Sequence, residues 1–166
     1  MSITFQVAKA LGAKVAVTVR SDEKGEYAKG VGADLVINMS NDDFVEKIKE
    51  WTGGQGADVV IDNLGGDVLS NSIEAIRPFG TVVIYGFSAG AEATIDVRNV
   101  FCPEKRLLGS MGSDVEDLQW GLEKVKEGLI KPLIARTFPL SQANEAHKII
   151  ADNKVRGNIV LLPWAK

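Results

Sequence analysis

Three side chains leave one β-branched run together: Arg20, Ser21 and Lys24 follow Lys14–Val19. A guanidinium pairs with phosphate oxygens as a fork, a hydroxyl donates one hydrogen bond, and an ammonium adds a point charge. Together they suit an anion, although each type is also common as a solvated surface group. A second candidate group is Asp62-Asn63-Leu64-Gly65-Gly66, where the apolar run Asp58–Leu64 ends. Asn63 offers an amide for hydrogen bonding, and Gly65 lets a backbone approach closely. Asp62 reads as a structural group at the strand end. The third group, Gly86-Phe87-Ser88, follows the run Thr81–Tyr85. The plainer reading of these segments has the glycines serving turns and Phe87 anchoring a loop. The single histidine, His147, reads as structural. The single cysteine, Cys102, lies beside Pro103 with no histidine near it in sequence, so it reads as a packed thiol. One cysteine also excludes an internal disulfide and a cysteine-rich zinc site. These residues nominate neither a catalytic side chain nor a metal ligand.

The elements that must carry these groups alternate. Ile3, Val7, Ala10 and Leu11 trace one helical face, with Gly12 suited to a left-handed helix end. Lys14–Val19 follows as a strand, Asp22–Val31 as a helix and Asp34–Asn38 as a strand. Asp42 or Asp43 caps a helix with the apolar face Phe44, Val45, Ile48 and Trp51. Thr52–Gly56 interrupts the chain before Asp58–Leu64, whose nearly unbroken apolar character predicts a strand buried on both faces. Val68, Leu69, Ser72, Ile73 and Ile76 mark a helix stopped by Pro78 and Gly80. Thr81–Tyr85 and Arg106–Ser110 are further strands, with a loop over Ala89–Thr94. Val115, Leu118, Leu122 and Val125 mark a helix ending near Gly128. Beyond it come an extended stretch over Lys131–Leu140, a helix capped by Ser141, and a strand over Gly157–Leu162.

Strands alternating with helices imply right-handed parallel crossovers, hence an α/β fold: a doubly wound parallel sheet of Rossmann type. The 166 residues suffice for one domain with a substantial core. A soft boundary near Pro132 separates the alternating part, 1–132, from a C-terminal segment, 133–166. The net charge of −3 gives no electrostatic footprint for nucleic acid or an anionic membrane. The apolar runs are strand-sized, and no signal-peptide pattern opens the chain. A cytoplasmic location is the expectation.

Several landmarks now fall in order: Val7-Ala8-Lys9-Ala10-Leu11-Gly12-Ala13-Lys14-Val15, Gly32-Ala33-Asp34, Gly53-Gly54-Gln55-Gly56-Ala57-Asp58-Val59-Val60, and Asp62-Asn63-Leu64-Gly65-Gly66. They continue as Gly80-Thr81-Val82-Val83, Tyr85-Gly86, Gly109-Ser110, Glu145-Ala146-His147 and Gly157-Asn158-Ile159-Val160. Their order and spacing resemble the medium-chain dehydrogenases/reductases, in the quinone-oxidoreductase-like branch or a related zinc-type alcohol dehydrogenase. The resemblance covers nearly the whole chain. It implies a nicotinamide cofactor and a small-molecule substrate.

In such folds an acid at the end of the second strand binds the NAD ribose, whereas basic groups accommodate the 2′-phosphate of NADP. The alignment places Val19 at the acidic position, so Arg20, Ser21 and Lys24 imply NADP(H). Asn63 is then expected at the cofactor ribose, and Gly65 where the backbone approaches the cofactor closely. Gly86, Phe87 and Ser88 are expected on the nicotinamide side. Asn158, in the turn Arg156-Gly157-Asn158, is expected to reach the cofactor from the C-terminal segment. Met39 stands where quinone-reductase relatives carry an aromatic beside the adenine.

The resemblance also implies pieces this sequence does not carry. A strand and a glycine-rich phosphate-binding turn precede the first helix in that family, and a catalytic domain precedes both. The expectation is an incomplete Rossmann sheet that lacks its central first strand. Three arrangements would compensate: direct pairing of the flanking strands, a second copy in a homodimer or larger oligomer, or a separate N-terminal half. The expected activity is the cofactor-binding part of an NADPH-dependent oxidoreductase acting on quinone, enone or carbonyl/alcohol substrates. The alternative is a non-catalytic remnant or interaction module that keeps the fold without the cofactor. Weak or no NADPH binding is expected of the isolated chain.

Overall fold

The computed structural model describes residues 2–152, 155 and 157–165. In chain order they form α1 (Ser2–Ala10), β1 (Ala16–Val19), α2 (Asp22–Gly30), β2 (Leu35–Asn38), α3 (Phe44–Trp51), β3 (Ala57–Asp62), α4 (Gly66–Ala75) and β4 (Ile76–Ile84). There follow α5 (Arg98–Phe101), β5 (Arg106–Gly109), α6 (Val115–Lys126), β6 (Ile134–Pro139), α7 (Ala143–Ala151) and β7 (Asn158–Leu162). The fold is α/β with parallel sheets, as the alternation implied. The strands fall into three ladders, ordered β1-β2, β3-β4-β5 and β6-β7. β1 and β3 belong to different ladders.

The chain divides into two compact units, Met1–Val17 with Ser21–Val36 and Asp114–Lys166, and Thr18–Arg20 with Ile37–Ser113. In the first unit, α1 buries Phe5 and Gln6, while Ile3 and Leu11 are exposed. The expected face of Ile3, Val7, Ala10 and Leu11 is therefore rotated. The reason is a hydrogen-bonded polar group: the Lys131 N–H donates to Gln6 Oε1 at 2.7 Å, and Gln6 Nε2 donates to the Lys131 carbonyl at 3.3 Å. A buried amide matched to a peptide group costs little, whereas an unmatched one costs several kcal/mol, roughly 2–7. Asp34 closes the entry to β1, accepting from the Val15 N–H at 2.6 Å and from Lys9 Nζ at 2.8 Å. Those bonds, the Lys9 side chain first, hold its carboxyl below the usual range.

The helix α6 forms where expected, with Asp114 as its N-cap, accepting from the Asp117 N–H at 2.8 Å. Its apolar stripe of Val115, Leu118, Leu122 and Val125 is exposed. Ser141 does not cap a helix. It sits inside a 3-10 turn over Leu140–Gln142, and α7 starts at Ala143 without a side-chain cap. β6 and β7 pair in parallel across α7, from Ile134 opposite Asn158 to Pro139 opposite Leu162.

In the second unit, Asp43 caps α3 by accepting from the Val45 and Glu46 N–H groups, and Phe44, Val45 and Ile48 are buried. The β3-β4-β5 ladder is parallel throughout, with Val60 opposite Val82 and Val82 opposite Leu107. Ile73 of α4 packs with Ile76 and Val82, joined by Val60, Leu69, Ile84 and Leu107. α4 ends at Ala75, so Ile76 opens β4 instead of closing the helix. The register then shifts between Ala57 and Val59, and the extra residues around Pro78 lie outside regular pairing, where proline's missing N–H does no harm. β3 is not buried on both faces. Val59 and Ile61 are 52% and 45% exposed, because within this unit only the α4 side of the strand is covered.

Candidate functional site: two clasped loops at the strand ends

The C-terminal ends of neighbouring parallel strands are where open α/β sheets present ligand-binding loops. Here β3 and β4 end side by side, with Asp62 opposite Ile84, and the Tyr85 N–H extends the ladder to the Asp62 carbonyl at 2.9 Å. The following loops, residues 63–66 and 86–90, are tied to each other. Ser88 donates to the Asn63 carbonyl twice, from its N–H at 3.3 Å and its hydroxyl at 3.0 Å. The Ala89 N–H donates to the Leu64 carbonyl at 2.7 Å, and Gly65 bridges Gly90.

The glycines make this clasp possible. A Cβ on Gly65 would meet the Gly90 carbonyl oxygen at 2.6 Å, and one on Gly86 would meet the Asn63 carbonyl oxygen at 2.8 Å. Gly65 also has φ of 63°, a conformation side chains disfavour. The close backbone approach expected of Gly65 is therefore made to the opposite loop.

The structure thus gathers Asn63, Gly65, Gly86, Phe87 and Ser88 at one lip. Asn63 is half-buried, and its side-chain amide has no partner among the described residues. Phe87 is 73% exposed, so it anchors no loop within this chain. Ser88 spends its hydroxyl on the Asn63 carbonyl.

The remaining candidates lie at other element ends. Ser21 is the N-cap of α2, its hydroxyl accepting from the Lys24 N–H at 3.4 Å. Lys24 is exposed in the first turn of that helix. Arg20 is exposed, and its carbonyl accepts from the Ser40 hydroxyl at 3.1 Å. The side chains of Arg20 and Lys24 have no ion-pair partner among the described residues. The Met39 N–H donates to the Val19 carbonyl at 2.9 Å. Asn158 is exposed at the start of β7, its N–H donating to the Leu133 carbonyl at 2.8 Å; the preceding Arg156 lies outside the described residues.

His147 is exposed on α7 beside the buried Ala146. Cys102 is exposed, not packed as expected: it is the C-cap of the short α5, which itself buries no residue. Among the described residues no cluster of His, Cys, Asp and Glu could hold a metal. No helix among them is long and apolar enough to cross a membrane. Sequence reasoning underrated Asp62 and Ser72, which stand behind the lip. The available signal was an aspartate at a strand end with glycine three residues on.

Comparison with known proteins agrees with this architecture. Residues 2–127 match the family described as zinc-binding dehydrogenase, and the chain belongs to that family, within the medium-chain dehydrogenases/reductases. It is 37% identical over 168 residues to a 2-haloacrylate reductase from Burkholderia sp, covering 95% of this chain and 50% of that protein. It is 32% identical over 172 residues to quinone oxidoreductase 1 of Escherichia coli (strain K12), covering 97% and 53%. A solved crotonyl-CoA carboxylase/reductase in complex with NADP superposes with a TM-score of 0.89 at 26% identity, covering 97% of this chain and 46% of that one. The chain thus spans about half the length of the curated relatives it matches.

Proposed function

We propose that this chain is the cofactor-binding portion of an NADPH-dependent oxidoreductase acting on quinone, enone or carbonyl/alcohol substrates. The observation that carries the reading is the lip at the ends of β3 and β4, where the unpartnered amide of Asn63 and the exposed ring of Phe87 stand on rigidly clasped backbone. NADPH, when bound, supplies the hydride, and the protein orients it. In this reading Asn63 hydrogen-bonds the ribose, while Gly65, Gly86, Phe87 and Ser88 line the path towards the nicotinamide. Arg20 and Lys24 neutralise the 2′-phosphate, and Ser21 contributes its hydroxyl hydrogen. Asn158 adds a contact from the segment 133–166, which belongs with the catalytic domain. No residue of this chain is assigned a proton-transfer or metal-binding role. The absence of an acid at Val19 and a solved relative in complex with NADP support the choice of cofactor. The substrate classes follow the names of the relatives, and a cytoplasmic location is part of the same proposal.

Calorimetric titration with NADPH and NADH tests the reading. NADPH is expected to bind more tightly, weakly in absolute terms, with Arg20→Ala and Lys24→Ala narrowing the difference. Tighter NADH binding would overturn the NADP assignment. Absence of binding to either would favour the second reading, an interaction module without cofactor. That second reading draws on the exposed apolar residues of β3 and α6. Both readings include association into a homo-oligomer or with a separate N-terminal half. Light scattering at micromolar concentration checks the first of these, and a monodisperse monomer would count against it.

A further inference from the structure

Behind the lip lies a buried polar pair that the proposed cofactor contacts do not use. Asp62 is 4% exposed and Ser72 3%. Ser72, on the face of α4 turned to the core, donates its hydroxyl to Asp62 Oδ2 at 2.9 Å. Asp62 Oδ1 accepts from the Leu64 N–H at 2.7 Å and from the Gly65 N–H at 3.0 Å. One carboxylate thus takes three donors, two of them backbone groups of the loop that carries Asn63.

We propose that Ser72 and Asp62 are positioning residues: they set the loop 63–66, and through it the loop 86–90, in the conformation that receives the dinucleotide. The constraint passes through consecutive hydrogen bonds. Ser72 fixes the Asp62 carboxylate on α4. Asp62 fixes the N–H groups of Leu64 and Gly65. The carbonyls of Asn63 and Leu64, held in turn, accept from Ser88 and Ala89, the two residues that follow the exposed Phe87. Gly65 has no Cβ and so reaches its φ of 63° without steric cost, but it is equally free to leave it, and the bonds to Asp62 select this one conformation. A buried carboxylate holding two backbone N–H groups makes charge-assisted bonds, stronger than neutral ones.

The ligand part of this inference rests on the proposed function; the mechanical part does not, and the two are separable by experiment. Amide hydrogen exchange and NADPH titration are measured on the full chain for the wild type, Ser72→Ala and Asp62→Asn. Ser72→Ala is expected to speed exchange about tenfold at Leu64 and Gly65, and also across the clasp at Ser88 and Ala89. The NADPH dissociation constant should rise by a similar factor. Asp62→Asn keeps an oxygen for the two N–H groups and an amide that can donate to the Ser72 oxygen, so it should retain most of both properties. Faster exchange confined to the surroundings of residue 72, with Ser88 and Ala89 unmoved, would overturn the positioning role. So would an NADPH affinity that stays constant while both loops loosen. A wild-type chain that binds no NADPH would overturn the ligand clause. The exchange measurement would still decide whether the pair holds the clasp. Asp62→Ala is the stronger perturbation, and if it fails to fold, the two milder variants carry the test.

Discussion

The two faces of the β3-β4-β5 ladder have the same apolar character and opposite fates. On one face Val60, Val82 and Leu107 lie in register and pack under Ile73 of α4. On the other, Ile61, Val83 and Leu108 also lie in register, yet Ile61 is 45% exposed and Leu108 51%. Side chains alternate across a strand with period two, so a strand rich in valine and isoleucine offers two equivalent apolar surfaces. Which one becomes core depends on what is laid over it. β3 and α4 are consecutive elements joined by residues 63–65, and a short connection brings that helix back over its own strand. The opposite face has no such tethered cover within this unit.

That contrast can be broken by matched substitutions. Ile73→Ala, at the centre of the covered face, should cost about 3 kcal/mol in urea denaturation, the usual sum of lost transfer energy and a residual cavity. Lys105→Met should cost about 1 kcal/mol by the same measurement, because Lys105 Nζ donates to the Ile73 carbonyl at 2.6 Å near the end of α4. A negligible loss there would show that the covering helix needs no tie at its C-terminal end. Ile61→Thr, on the open face, should change stability by less than about 0.5 kcal/mol. A cost comparable to that of Ile73→Ala would mean the open face is covered in solution, and its dependence on protein concentration would show whether a second copy does the covering.

The smallest expected effect lies outside the ladder, at Asp34. Its folded-state pKa is depressed, first by the Lys9 side chain and next by the Val15 N–H. The sign follows from linkage: the unfolded carboxyl takes up its proton at higher pH than the folded one. The stabilisation is therefore complete above the ordinary value of 3.8 and is lost as pH falls below it through the folded pKa. Asp34→Asn should flatten that part of the acid limb in an equilibrium unfolding series, leaving stability near neutral pH little more pH-dependent than before. An unchanged acid limb would show that the pair makes no measurable contribution.

Legibility differed from element to element. α3 was largely readable, because the Asp43 cap and the spacing of Phe44, Val45 and Ile48 obey rules that act within a few residues, although Trp51, expected on the same face, is exposed. The start of β4 was not: Ile76 fits the apolar period of α4, and only pairing opposite Ala57 makes it a strand residue. Gln6 reads as a polar interruption until its partner, Lys131, is seen 125 residues away. The lip was half legible. Asn63, Gly65, Gly86, Phe87 and Ser88 were recognisable as strand-end residues, but the glycines turned out to accommodate each other's loops. The grip of Asp62 and Ser72 on that arrangement was not anticipated.

The sequence by itself determined the alternation of helices and strands, the family, and the absence of a cysteine-rich metal site. These follow from local periodicity, residue order and composition. Only the tertiary structure decided which face of each apolar element is buried and which backbone each glycine must admit. It also decided what the carboxylate of Asp62 holds in place. The physical reason is shared: burial and hydrogen bonding belong to pairs of groups, and one member of each pair comes from a part of the chain that the local pattern does not name.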